Sequence, residues 1–543
     1  MASSVATRRP LVRALNGVVA TADGLATAAG LEVLQRGGNA MDAAVAAALV
    51  TGVTLPQMCG LGGDAFILYY DAKSGEVTGI NGSGIAARGC DADYFRAQGL
   101  DKVPYRGPHS VSVPGDVDAL FAGLDRFGSL PVEELFAPAV RAAEQGFPIT
   151  HGLANAIANA AQGLREWPTS AAVFLPNGRP LRPGEILRNP NLARTLRAVA
   201  DGGSEAFYQG QIAREITSYL KQHGGFLSYE DFAEHQSDVY SPPSVDYRGY
   251  TVYQTQPPSQ GHIMLEELNI LENADLAALG HNSADAIHLM AETKKLAYAD
   301  RLAYSGDPKF VRTPMDVLLS KSFARDRFQQ IDMAQAHEQV GAGRIPERIG
   351  DTTYLCVIDR HGNGVSLIHS VSADFGSRVI AGDTGVVLNN RAGRGFTLEP
   401  GHPNVFAPGK RTMHTLNCYL VEQQGALRWV GGTPGGDGQP QWNMQALTNL
   451  IDYGQDEQEA VESPRWTSFP GTDPLSIAND LVLRVEERVG LDTVEALRQR
   501  GHKVMVLGAW DGDGAAQVIG RDPESGVLSG GSDPRVEGAA LGY

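Results

Sequence analysis

The chain, 543 residues long, predicts an α+β fold. Three features carry that reading. Ala and Leu recur at helical spacing over residues 21–34 and again over 40–50. Residues 65–70, Ala-Phe-Ile-Leu-Tyr-Tyr, form a short apolar run bounded by turn residues, the mark of a buried strand. After Gly350 a second strand, turn and strand pattern begins.

The two helical stretches are separated by Arg36-Gly37-Gly38-Asn39, which stops one helix and caps the next, so a helical hairpin opens the chain. Strand 65–70 is followed by a turn at 71–75 and a partner strand at 76–80. From about 117 to 319 the pattern is mostly helical, broken at Pro-rich points such as Gln256-Pro257-Pro258-Ser259. Strands are predicted at 353–358 and 364–369 around a turn at 359–363, then at 385–388, 418–421 and 428–430. Helices follow around 441–451 and 491–500. Neither a low-complexity segment nor a repeat of fixed period occurs.

Composition narrows the function. A formal charge of -17 and a pI near 5.2 leave no basic surplus to offset phosphates, which argues against nucleic acid or an anionic membrane as partner. The four cysteines, Cys59, Cys90, Cys356 and Cys418, have neither the paired spacing of a zinc site nor the density of a disulfide scaffold. The first residues carry arginines without a following apolar stretch, and the Ala-rich run 43–50 is too short to span a bilayer. A cytoplasmic protein is expected.

The chemistry centres on Gly350-Asp351-Thr352-Thr353, a small acidic turn running into a strand. A threonine there can hold its hydroxyl against the preceding carbonyl, the geometry of an N-to-O acyl shift. Hydrolysis of the ester would free Thr352 as a new N-terminus. Its α-amine, with a usual pKa of roughly 7.7–8.0, can then act as general base for its own hydroxyl. On the tripeptide alone, the plainer reading is an ordinary turn before a strand.

Six blocks change that balance: Gly37-Gly-Asn-Ala-Met-Asp-Ala-Ala-Val-Ala46, Gly60-Leu-Gly-Gly63, Pro257-Pro-Ser259, Tyr298-Ala-Asp-Arg301, Gly306-Asp-Pro308 and Ser532-Asp-Pro-Arg535. In this order they resemble the γ-glutamyltranspeptidase family over nearly the whole chain. The resemblance implies a four-layer αββα sandwich of the N-terminal-nucleophile hydrolases. It also implies self-cleavage into a large subunit, 1–351, and a small one, 352–543, woven into one globular body. In the family the nucleophile is the first of a Thr-Thr pair, followed by a strand and an Asp-x-x-Gly-Asn turn, as at Thr352-Thr353 and Asp359–Asn363. Tyr354 stands where His is usual, and Ser370 carries the second hydroxyl where Thr is usual. Gly432-Thr-Pro-Gly-Gly436 resembles the family's glycine pair, which makes Gly435 and Gly436 the expected oxyanion donors; taken alone, the stretch reads as a surface turn.

The residues that would grip a glutamyl group are changed. Ser83 in Asn81-Gly-Ser-Gly84 occupies the place of a carboxylate-binding arginine, and Arg391 and Arg394 in Leu388-Asn-Asn-Arg-Ala-Gly-Arg394 replace acceptors for an ammonium. His414 and Thr415 align with a paired serine, and Ser372 with an asparagine. Arginines suit a carboxylate and repel an α-ammonium, so the expected substrate is a small acidic amide. A family branch with this pattern includes an oxamate amidohydrolase of purine-nitrogen breakdown, and oxamate is the leading candidate. The alternatives are γ-glutamyl hydrolysis or transfer on glutathione-like substrates, an acylase removing acidic chains from β-lactams, and a non-enzymatic scaffold. Either arginine could instead pair with surface acids.

No cofactor is called for, because nucleophile, base and oxyanion donors all come from the chain, and no catalytic metal is expected, since no His-Glu-x-x-His or comparable spacing occurs. Gly60-x-Gly62-x-x-Ala65 superficially matches a dinucleotide fingerprint but precedes a strand where it should follow one. A homodimer or tetramer of processed units is a possible assembly.

Overall fold

The computed structural model describes residues 7–338, 352–471 and 479–543. Two seven-stranded sheets form its centre. The first runs in the order Val12–Ala14, Leu528–Ser532, Gln517–Arg521, Ala426–Gly432, Tyr419–Gln423, Tyr250–Gln254, Ser244–Tyr247. The second runs Ala539–Gly542, Gly17–Thr21, Thr353–Asp359, Gly364–Ser370, Asp64–Asp71, Glu76–Asn81, Asp238–Tyr240. Neighbouring strands within both are antiparallel. Both sheets draw strands from either side of position 352.

Side-chain alternation sets the layers. Along Thr353–Asp359, Tyr354, Cys356 and Ile358 enter a buried cluster with Phe66, Leu68, Leu420, Val430 and Ile519, which fills the space between the sheets. Leu355 and Val357 point the other way, into a cluster with helices Gly24–Gln35 and Ala40–Thr54. The outer face of the first sheet, through Val252, Val421, Trp429 and Val518, packs on helices Gly261–Leu271, Ala284–Tyr304 and Gln439–Ile451. Helix, sheet, sheet, helix is the four-layer α+β sandwich expected.

The opening hairpin forms as predicted. Asn39 accepts from the Met41 and Asp42 amides while the Asp42 carboxylate accepts from the Asn39 amide, a reciprocal cap at the start of Ala40–Thr54. The Ala-rich run is a core helix: a Cβ on Gly30 would lie only 3.1 Å from the Ala43 carbonyl, so small residues are what let the two helices touch. Among the described residues no helix is long and apolar enough to cross a membrane. All four cysteines are buried and free.

One expectation fails. Residues 385–388 form no strand; Val386 and Leu388 are apolar because they pack in the core, and Val387 joins only an isolated bridge to Ile380. The middle region is mostly helical as expected, but it also holds three unforeseen strands, Asp238–Tyr240, Ser244–Tyr247 and Tyr250–Gln254, the last two joined through Arg248 and Gly249 at positive φ. Strand Gly17–Thr21 and the last three strands were not foreseen either. They are at most five residues long and pair with distant segments, so local pattern is weak.

Tyr354 opens a hydrogen-bond relay between the sheets. Its hydroxyl lies 2.8 Å from Ser366 Oγ, which donates to the Gly431 carbonyl at 3.2 Å. Tyr354→Phe should cost about 1 kcal/mol, seen as a lower urea midpoint with unchanged slope; an unaltered midpoint would mean this link contributes nothing net.

Candidate active site

Thr352 precedes strand Thr353–Asp359 and is fully buried. Antiparallel pairing sets Thr353 opposite His369, which brings Thr352 beside Ser370 at the end of the neighbouring strand. The Thr352 hydroxyl donates to Ser370 Oγ at 3.3 Å. That is long for an O–H···O bond.

The chain after Ser370 folds back on it. Ser372 takes φ +87, a left-handed value uncommon outside glycine, and its amide donates to Ser370 Oγ at 2.8 Å. The Ser372 carbonyl accepts from Arg394 Nη1 at 3.0 Å, so a guanidinium stands two hydrogen bonds away from Ser370 Oγ. The Ser372 hydroxyl is buried without a hydrogen-bond partner among the described residues. Gly62 and Gly63 make room: a Cβ on Gly63 would run into the Ser370 carbonyl, and one on Gly62 into the Val387 carbonyl. This close approach, not a nucleotide, is what the glycine-rich stretch serves.

Asn389 holds the arginine segment. Its amide nitrogen donates to the Gly62 and Ser112 carbonyls at 3.0 and 3.1 Å, and its oxygen accepts from the Arg391 amide at 3.0 Å. Arg391 and Arg394 are 2% and 3% exposed, so neither is a surface arginine. Arg391 Nη1 donates to Thr415 Oγ1 at 3.2 Å, and its Nε lies 3.5 Å from the fully buried Asp64 carboxylate. Asp64 also faces His414 Nε2 and accepts from the Gly84 amide, each at 3.1 Å. Burial and the Arg391 charge push His414 down to about 4 against the pull of Asp64, so its ring is neutral at pH 7 with Nε2–H turned to the carboxylate. Ser83 lies next to Gly84, but its hydroxyl donates to Asn81 at 2.6 Å.

The glycine pair lies on a loop tied to the segment that meets Arg391. Gly435 and Gly436 take φ +122 and +55, and a Cβ on Gly435 would strike the Trp442 ring. Gln260 Nε2 donates to both the Gly436 carbonyl at 2.9 Å and the Thr415 carbonyl at 2.6 Å, joining this loop to the segment that meets Arg391. The next residue, Asp437, is gripped from helix Ala284–Tyr304: Arg301 pairs with its carboxylate, and Tyr298 donates to its carbonyl at 2.5 Å.

Thr352, Ser370, Ser372 and Arg394 thus form one contact chain, and Arg391, Thr415, His414 and Gly436 a second, meeting at residues 388–394. Asp351 lies outside the described residues. Sequence reasoning missed Asp64, Gln260, Tyr298, Arg301 and Asp437. The signal was present, since each adjoins or belongs to a block already singled out, but their roles depend on partners up to 350 residues away. Because Arg301 reaches the glycine loop through Asp437, Arg301→Gln should lower kcat at least tenfold with KM within about twofold; the opposite split in steady-state kinetics would make it a substrate-binding residue.

The comparisons with known proteins agree across the chain. The family model for gamma-glutamyltranspeptidase matches residues 26–543. A glutathione hydrolase-like proenzyme from Bacillus subtilis (strain 168) is 38% identical over 531 residues, covering 95% of this chain and 97% of its own. An oxamate amidohydrolase proenzyme from Klebsiella pneumoniae is 34% identical over 535 residues, with 97% and 98% covered. Among solved structures, cephalosporin acylase from Bacillus halodurans superposes with a TM-score of 0.91 at 36% identity, covering 100% of this chain and 98% of that one.

Proposed function

The chain belongs to the γ-glutamyltranspeptidase family, and on that premise we propose that it cleaves itself between Asp351 and Thr352 and then hydrolyses a small amide carrying a carboxylate close to the scissile carbonyl. It is a hydrolase of the N-terminal-nucleophile type with a threonine nucleophile. Oxamate, giving oxalate and ammonia, is the leading substrate.

The observation that carries the substrate reading is the contact chain from Thr352 through Ser370 and Ser372 to Arg394. It links a guanidinium to the Thr352 hydroxyl through three hydrogen bonds, which supports the reading that a substrate carboxylate is held on the side of the reacting carbon. Asp64, an acid beside Arg391, is fully buried and engaged with His414, Arg391 and the Gly84 amide, which leaves it poorly suited to receive a substrate ammonium.

In the maturation step the Thr352 hydroxyl attacks the Asp351 carbonyl, the peptide nitrogen leaves as the new α-amine, and water hydrolyses the ester. In turnover that amine takes the hydroxyl proton, Oγ1 adds to the substrate carbonyl, and the Gly435 and Gly436 amides face the developing oxyanion. Collapse passes the proton to the departing ammonia and leaves an acyl ester on Thr352; water, deprotonated by the same amine, releases the acid. The full-length match to a cephalosporin acylase favours a second reading, removal of an acidic acyl chain from a β-lactam.

Mass measurement should find two pieces divided before Thr352 in the wild type and one chain in Thr352→Ala; cleavage at that bond in the variant would displace Thr352 as nucleophile. Ammonia release from oxamate should exceed hydrolysis of a γ-glutamyl anilide and of a glutaryl amide, and the reverse order rejects the small-substrate reading. Arg394→Gln should raise KM at least tenfold while self-cleavage persists. A pH profile of kcat/KM should rise through the α-amine pKa, roughly 7.7–8.0, because the base must be deprotonated. His414, already neutral above about 4, should add no inflection between roughly pH 5 and 7.

A further inference from the structure

We infer that His288, Glu292 and His502 form a binding site for a divalent transition-metal ion of the zinc type, separate from the machinery of turnover. His288 and Glu292 stand one turn apart on helix Ala284–Tyr304 and project from the same face. His502 arrives from beyond helix Leu491–Gln499, 214 residues from His288. All three are buried, and one ligand atom from each lies within 4.8 Å of the others.

The hydrogen bonds prepare the ligands. His288 Nε2 faces the Asp332 carbonyl at 2.8 Å; a carbonyl can only accept, so the proton is on Nε2 and Nδ1 keeps its lone pair. Metal-bound histidines are oriented by such a second partner. That lone pair meets His502 Nε2 at 2.8 Å, with the rings crossed at 74°. Two imidazole nitrogens are thus already as close as two ligands of one ion.

Lys295 and His337 flank the carboxylate. Lys295 donates to Glu292 Oε1 at 2.6 Å and to the His337 carbonyl at 2.9 Å, while His337 Nδ1 lies 2.5 Å from Oε2. Arg500, the next cation, is engaged with Asp285. A metal would take Oε2, with His337 or water completing a tetrahedral N/O set. Binding needs no net proton loss: His502 shifts its proton from Nε2 to Nδ1. Since His288, Glu292 and Asp332 precede Thr352 and His502 follows it, the ion would clasp both pieces left by the proposed cleavage.

The test is a zinc titration of chelator-treated, dialysed full-length protein, read by equilibrium dialysis with metal analysis, on the wild type and on Thr352→Ala so that the result is independent of cleavage. About one zinc per chain is expected, with His502→Gln and Glu292→Gln each weakening binding at least tenfold. Equal binding by wild type and both variants, or no zinc retained by the wild type, overturns the site. If a variant fails to fold by circular dichroism, Co²⁺ added to the wild type decides: intense visible bands of a tetrahedral N/O site support the assignment, and their absence rejects it.

Discussion

A carboxylate shut away from water must be met by donors or it will not stay ionised. Asp64, fully buried at the first position of its strand, is met by the Gly84 amide, His414 and Arg391. These partners come from the segment just after its own hairpin, from the segment leading to strand Tyr419–Gln423, and from the turn after Asn390. One charge therefore fixes three segments around Thr352. It also holds a guanidinium deep in the protein, where an arginine without an acid partner would be costly.

The site is built by close backbone approach as much as by charge. Gly62 and Gly63 let the loop before strand Asp64–Asp71 lie against the carbonyls of Val387 and Ser370, and Ser372 bends at positive φ to return its amide to Ser370. Asn389 and Gln260 then act as cross-braces, each satisfying carbonyls of two different segments. Buried side-chain amides of this kind are tolerated because their partners are supplied, and they hold the Gly62 loop, the arginine segment and the glycine loop in a single arrangement.

The parts of the fold legible in sequence were those with strong local periodicity. The helical hairpin, the strand pair around residues 71–75 and the pair around 359–363 fall where alternation and turn residues put them. Short strands such as the Gly-containing Leu528–Ser532 and the hairpin Ser244–Gln254 escaped, because few residues carry the pattern. Residues 385–388 misled for the complementary reason: an apolar run records burial, and burial does not require a ladder of hydrogen bonds.

For the site, the sequence by itself determined the chemical inventory: a threonine at a strand start, a second hydroxyl, a glycine pair, and arginines where acceptors for an ammonium would be needed. Identity and spacing carry that information because each role demands a residue type. Only the tertiary structure decided the partners. That Arg391 leans on Asp64, that Arg301 reaches the glycine loop through Asp437, and that His502 meets His288 all depend on contacts between segments more than a hundred residues apart. Such contacts follow from how the two sheets stack and where the helices cover them, which no local pattern encodes.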